Sequence, residues 1–497
     1  MRWMRWTVWG GFWLAVLVPP APAQQAAEPP PVSEQTEECL GCHESDTPGI
    51  VADWRTSRHA RTSPAMALAR PPLERRLSAT DVPVERRGVA VGCFECHGLN
   101  PERHQDNFEH FGFRINTVVS PNDCRTCHPT EAGQYLASKK AFAVDNLEQN
   151  PLYHTLVETI TATRTVRDGR PVPAPTGDNT RNKTCFACHG TRVEAKGLKT
   201  VVVDGDELRV PNLTNWPNQG VGRINPDGTQ GSCAACHSRH GFSIEMARKP
   251  YTCAQCHLAP DVPAWEVYRE SKHGNLFSTH QAGWNFDAVP WRVGTDFRAP
   301  TCAACHMALL AAPDGEPIVQ RNHDFGGRLW VRIFGLITSH PQPKYGGTFT
   351  IRNAEGLPLP TTLDGKPALE HLIDAAEQAR RQGEMKKVCL ACHGTSWADG
   401  HFAQMARLNA DTDKMVLAAT DLVKRAWELK LADPANPFDE AIERKWVTQW
   451  LFYANSVRYS GAMGGPDYAA FKYGWWDLTR NLEEMADSIE LKAKARR

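Results

Sequence analysis

Beyond its first residues this 497-residue chain has no apolar run approaching the roughly 18 positions that a membrane-spanning helix needs. It has no net charge either. The 56 basic residues balance 56 acidic ones without a long run of one sign, so nothing recommends nucleic acid as a partner. No cysteine is left over, because all 16 fall into eight copies of one pattern. Histidine is scarce at 19 residues, yet one follows every one of those eight cysteine pairs. That coincidence excludes the plain readings of Cys-x-x-Cys as disulfides, zinc sites or thiol redox centres, none of which requires a histidine after each pair.

The pattern is Cys-x-x-Cys-His. Its first thiols are Cys39, Cys93, Cys124, Cys185, Cys233, Cys253, Cys302 and Cys389, and its second thiols are Cys42, Cys96, Cys127, Cys188, Cys236, Cys256, Cys305 and Cys392. His43, His97, His128, His189, His237, His257, His306 and His393 follow directly. This is the attachment site of c-type haem: two thiols take the vinyl groups, and the adjacent histidine is held where it ligates the iron. Eight covalent haems are therefore expected. Their mass supplies apolar filling that a chain with 41% hydrophobic residues need not supply itself. The motifs have no fixed spacing, with first thiols 20 residues apart at 233 and 253 and 87 apart at 302 and 389, so this is not a solenoid repeat.

Arg2 and Arg5, the apolar "TVWGGFWLAVLV" and the small residues "APA" at 21–23 read as a signal peptide over 1–23, cleaved near Ala23, which implies a periplasmic protein without a membrane span. The many Gly and Pro residues between motifs suggest short helices and turns joined by loops. "TVVVDGDELRV" (200–210) predicts a hairpin turning at Asp204-Gly205. Apolar residues at three- and four-residue steps predict helices over 366–387, 413–432, 438–458 and 477–496. The expected class is mainly α: a multihaem cytochrome c fold with few short strands, an octahaem domain over 24–405 and a cysteine-free helical region over 406–497.

Eleven histidines remain: His59, His104, His110, His154, His240, His273, His280, His323, His340, His371 and His401. They could saturate all eight irons, so counting alone exposes no open site. By context, His59, His110, His154, His240, His273, His323 and His340 are the candidate second axial ligands. Lys139-Lys140 stands where multihaem cytochromes sometimes have a ligating histidine, but it reads better as a solvated pair of charges.

The ordered motifs, the close pair "GSCAACHSRHGFSIEMARKPYTCAQCH" (231–257), "APDVPAWEVYRESKHGNLF" (259–277), "APTCAACHM" (299–307) and "YSGAMGGPDY" (459–468) resemble the octahaem hydroxylamine oxidoreductase family over nearly the whole mature chain. The resemblance implies a helical homotrimer with seven bis-histidine haems. The fourth haem, on Cys185, Cys188 and His189, would be five-coordinate and catalytic. It further implies that Tyr459, in a glycine-rich bend where Gly461, Gly464 and Gly465 allow close approach to a neighbouring subunit, is cross-linked to that haem as in cofactor P460. Asp261 matches the family's active-site aspartate, and its plain alternative is a helix N-cap. Val262 stands where oxidising members commonly carry a histidine. The implied activity is hydroxylamine oxidation to nitric oxide or nitrite, with a soluble c-type cytochrome as acceptor. Hydrazine oxidation to N2, nitrite or hydroxylamine reduction, and electron transfer without catalysis are the alternatives.

Overall fold

Glycine and proline, 37 and 36 residues in all, interrupt the chain so often that most helices of its haem-bearing part are short among the described residues. The structure is a computed structural model that describes residues 28–203, 205–335 and 337–496, so the expected signal peptide and Asp204 lie outside the described residues. Cys93–His97, Cys185–His189 and Cys302–His306 are helices in their own right. The first motif lies within Glu34–Asp46, and the fifth opens on a 3-10 turn, Cys233–Ala235. Positions i, i+3 and i+4 share one face of a helical turn, so both thiols and the histidine project to the same side.

The described strands form small antiparallel pairs and one three-stranded sheet. The expected hairpin is present and longer than its sequence signal, pairing Ala195–Val203 with Asp206–Leu213. A second hairpin, Thr163–Arg167 with Arg170–Ala174, turns at Asp168 and Gly169, both at positive φ. It carries the same Asp-Gly signal, which the alternating charges around it obscured.

The C-terminal part packs on itself. Thr395–Glu428 is a 34-residue helix starting directly behind the eighth motif, so the 405/406 boundary falls inside it. Ala441–Thr448, a π-helical turn Gln449–Tyr453 and Ala454–Met463 form one continuous helix, and Trp475–Ala495 closes the set. Val423, Phe438, Trp446, Trp450, Leu478 and Met485 are among the side chains of their common core. Helix was expected from 366, but it starts only at Ala375, where the Asp374 carboxylate accepts from Glu377 N–H and caps it. Among the described residues no helix is long and apolar enough to cross a membrane.

The π turn fixes what faces the haem-bearing part. Buried Gln449 donates through Nε2 to Leu478 O (3.1 Å) and accepts from Asn481 Nδ2 (2.8 Å). The extra residue in the turn rotates the following helix by about 100°. Tyr459 therefore sits inside a helix and not in a bend, for the left-handed glycine that ends the helix is Gly464, at φ +81°. The neighbouring glycines serve contacts within the chain: a Cβ on Gly461 would lie 2.9 Å from Leu408 Cδ2, and one on Gly465 2.9 Å from Val267 Cγ1.

Candidate haem sites and the open position

Five motif histidines face a second histidine at a common distance. Ring centres lie 6.2 Å apart for His43 and His110, 6.5 Å for His97 and His240, 6.3 Å for His128 and His59, 6.5 Å for His237 and His323, and 6.1 Å for His393 and His273. Two imidazoles bonded to one metal at about 2 Å each place their ring centres about 6 Å apart, whereas stacked rings come closer. All sixteen thiols are free, and an apolar cavity of 520 Å³ opens beside Cys392, lined by Val293, Pro313, Ile318 and Ala391. These residues fit c-type haem. Five of the seven proposed second ligands thus stand where such a ligand must stand.

The histidines are prepared for iron. His97 Nδ1 donates to Asn116 O at 2.7 Å and His189 Nδ1 to Ala143 O at 3.2 Å, which leaves Nε2 of each ring free. Burial lowers His189, His237 and His306 to about 4, so these rings are neutral ligands at pH 7.

Contacts between thiols of different motifs order the array. Cys39 reaches Cys93, Cys124 reaches Cys233, Cys253 reaches Cys302 and Cys188 reaches Cys256. Cys96 is electrostatically coupled to Cys127, Cys236 to Cys253 and Cys305 to Cys389. The motifs therefore follow the order first, second, third, fifth, sixth, seventh, eighth, with the fourth attached at the sixth.

Around the fourth motif the backbone packs tightly. Gly190, at φ +105°, lets segment 220–223 pass behind it, where Val221 N–H donates to Cys188 O and Gly222 N–H to His189 O. Asp261 is electrostatically coupled to Cys185, Cys188 and Tyr459. Its carbonyl accepts from Asn455 Nδ2 at 3.0 Å, one helical turn before Tyr459. Its side chain is exposed, yet surrounding protein raises its carboxyl pKa against the pull of its own and Val262's backbone N–H groups. Burial pushes the Tyr459 phenol up to about 12, with Arg332 opposing. Asp261 and Tyr459 thus come together at the fourth motif within one chain.

Other candidates fall elsewhere. His154 is exposed on helix Pro151–Thr161 and is not brought opposite a motif histidine. His340 is buried, donates through Nδ1 to Pro341 O and leaves Nε2 without a hydrogen-bond partner, but it joins no ring pair among the described residues. His104 is engaged at both nitrogens, by Asp106 and Asp123 at 3.2 Å each. The Lys139-Lys140 pair is not a solvated one. Both are half-buried, and burial together with Arg332 lowers Lys139 to about 7. Lys140 Nζ donates to His257 Nε2 at 2.8 Å. The sequence marks the pair only by its place, where multihaem cytochromes sometimes have a ligating histidine, and a lysine beside a lysine otherwise reads as surface.

Comparison with known proteins agrees with this geometry. Residues 222–317 match the family model described as seven times multi-haem cytochrome CxxCH, and residues 123–207 match cytochrome c554 and c-prime. A solved structure described as a hypothetical multiheme protein is 43% identical and superposes with a TM-score of 0.88 over 95% of this chain and 98% of that one. The chain belongs to the multihaem cytochromes c. This cytochrome also shares the fold of a reducing HAO-like protein complex from Kuenenia stuttgartiensis, at 18% identity and a TM-score of 0.59 over 93% of this chain and 86% of that one. It is 27% identical over 282 residues to a probable nitrite reductase-hydroxylamine oxidoreductase fusion protein of the same organism. That match takes in 56% of this chain and 26% of the relative, so the cytochrome spans about a quarter of that protein's length.

Proposed function

We propose that this cytochrome is an exported oxidoreductase of nitrogen compounds that oxidises hydroxylamine at the fourth motif and passes electrons through its other haems to a soluble c-type cytochrome. One observation carries the reading: Asp261 stands near Cys185 and Cys188, with Tyr459 beside it, at a motif whose His189, like His257 and His306, pairs with no second histidine among the described residues. The fusion relative's name adds support from outside the chain.

Cys185, Cys188 and His189 would hold a c-type haem, which would supply a place for substrate nitrogen to bind and for electrons to go. The chain supplies the rest. Converting NH2OH to NO releases three protons with three electrons, so a base must stand beside the bound nitrogen. Asp261 is that base. Desolvation by the surrounding protein raises its carboxyl pKa, which makes it a better proton acceptor than a fully solvated aspartate, and Asn455 donates to its backbone carbonyl. Val262 offers no second acceptor, which favours release at NO over further oxidation to nitrite. The absent histidine also leaves room for a different substrate. Hydrazine oxidation to N2 would use the same groups.

Turnover with hydroxylamine, hydrazine or nitrite, together with cyanide titration of the ferric protein, tests the proposal. Asp261→Asn should lower kcat/KM for hydroxylamine by about 10²- to 10⁴-fold. A ferric protein that binds no cyanide would leave an electron conduit instead. The P460-type link of Tyr459 is read by a haem-stained denaturing gel with intact masses. Tyr459 lies beside its own chain's Asp261, so a monomer band whose extra bond disappears in Tyr459→Phe means a link within the chain. Bands near three subunits, abolished by the same change, mean a link across a trimer. An unlinked monomer moves the assignment to reduction.

A further inference from the structure

The sixth motif, at the junction of the array, has neither a histidine opposite it nor an empty side. His257 Nε2, the atom that ligates iron in a Cys-x-x-Cys-His site, receives a hydrogen bond from Lys140 Nζ at 2.8 Å. Lys140 reaches this place because Lys140 and Phe142 follow helix Pro129–Ala137 over its Ser138 cap, whose hydroxyl accepts from Lys140 N–H. Phe325 lies 5.8 Å from the amine, and the charge of Lys140 also bears on His189, Cys236, Cys256 and His306. No carboxylate pairs with Lys140 among the described ion pairs. A lysine aimed at a ligand atom of a buried ring, with no acidic partner, is unexplained as a surface charge.

We propose that Lys140 is the second axial ligand of the haem carried by Cys253, Cys256 and His257, making it a histidine–lysine site beside the paired histidines His237 and His323 of the fifth motif. Two metal–nitrogen bonds of about 2 Å require the two nitrogens to stand about 4 Å apart. The four-carbon stem of lysine can withdraw the amine by the roughly 1.2 Å this needs. On binding, the ammonium releases one proton to solvent and its lone pair forms the iron–nitrogen bond; no electron is transferred and no co-reactant is needed. Axial ligand identity tunes a haem's electronics, so the position linking the fourth motif to the fifth and seventh differs in kind from those around it. This assignment rests on c-type haem attachment and is independent of the activity proposed at His189.

The test is near-infrared magnetic circular dichroism and electron paramagnetic resonance of the fully haem-loaded ferric protein, with the haem load set by intact mass. The wild type should show one low-spin equivalent per chain with a histidine–amine charge-transfer band. Lys140→Ala should convert that equivalent to high spin and add one cyanide-binding site to whatever the wild type shows. Lys140→His should move it to the bis-histidine band, and Lys139→Ala should leave the spectrum unchanged. Absence of the amine band from the wild type overturns the assignment, as does an unchanged low-spin count in Lys140→Ala at full haem load. Should Lys140→Ala fail to mature, the wild-type band and Lys140→Met, which should replace the amine signature by a histidine–methionine one, decide it.

Discussion

The part of the chain before Gly394 and the helices after it bury their side chains by opposite means. Behind Gly394, Trp446 stands 2% exposed, stacked on Phe438 and edge-on to Trp427 and Trp450, and its indole N–H donates to Thr420 Oγ1 at 2.9 Å. Most of the core there comes from the helices themselves, with Ile337 and Leu359 joining it from before Gly394. Before Gly394 the apolar clusters are smaller and divided, the largest gathered around Phe277, Phe286 and Trp291 and another being only Leu77, Ala79 and Val82 with a few partly buried neighbours. The best-defined geometry there is five histidine pairs held about 6 Å apart around spaces that haem fits. Where protein atoms supply the core, apolar periodicity governs the fold; where a cofactor supplies it, attachment chemistry does.

The largest effect that could break this contrast comes from withholding haem. A chain produced without haem attachment should keep amide protection in Thr395–Glu428 and Trp475–Ala495 while the segments around the motifs exchange freely. Local opening energies within one molecule can differ by several kcal/mol, or roughly a thousand-fold in exchange. Uniform loss of protection in hydrogen-exchange mass spectrometry would show that the helices lean on the haems after all. Next in size is Trp446→Ala in the holoprotein, which should cost about 3–5 kcal/mol through the cavity it leaves. Denaturant unfolding followed by far-UV circular dichroism measures it. The low-spin haem spectrum should not change, and if it does the two regions are not separable.

The same contrast explains what could be read in advance. The motifs, the hairpin at 200–210 and the final helix at 477–496 follow from local chemistry, and each appears in the fold. His59, His110, His240, His273 and His323 were singled out by their sequence contexts, and each stands about 6 Å from a motif histidine. Three features were not legible. The start of helix 375–390 depends on the Asp374 cap outcompeting apolar spacing that extends back to 366. The placement of Tyr459 depends on a π turn set by buried Gln449, which no periodicity reveals. Lys140 becomes meaningful only when the fold carries it to His257, 117 residues away.

A third, smaller effect concerns a polar hub within the haem-bearing part. Burial opposes a charge on His104, but hydrogen bonds and charges from Asp106 and Asp123 outweigh it and raise its pKa to about 10. Asp106 also accepts from Val118 N–H, and Asp123 from Ser120 N–H and Asn100 Nδ2, so the hub ties the second motif to the third. A raised folded pKa means stability fully present below the unfolded value of about 6.5 and lost as pH rises toward about 10. Wild-type stability should therefore fall by on the order of 1 kcal/mol per pH unit across that window through this group, and the fall should be shallower in His104→Gln. Melting temperatures of both proteins at pH 7 and pH 9 give the comparison; parallel pH profiles would remove His104 from the account.

The smallest effect belongs to the outer face of the last helix. Glu490 and Lys494 form an i,i+4 ion pair with side chains 63% and 69% exposed, in contrast to Arg458, whose side chain is fully buried against Asp413. An exposed pair gains little in water and must hold two long side chains in one geometry, so Lys494→Ala should change stability by no more than about 0.5 kcal/mol. Arg458 cannot be treated alike, because removing it strands a carboxylate beside a buried helix. If Lys494→Ala costs well over 1 kcal/mol in thermal unfolding, and the cost depends on protein concentration, the face carrying Glu490 and Lys494 is covered in an assembly of chains. The core of the helical region would then be completed between copies, as that of the haem-bearing region is completed by cofactor.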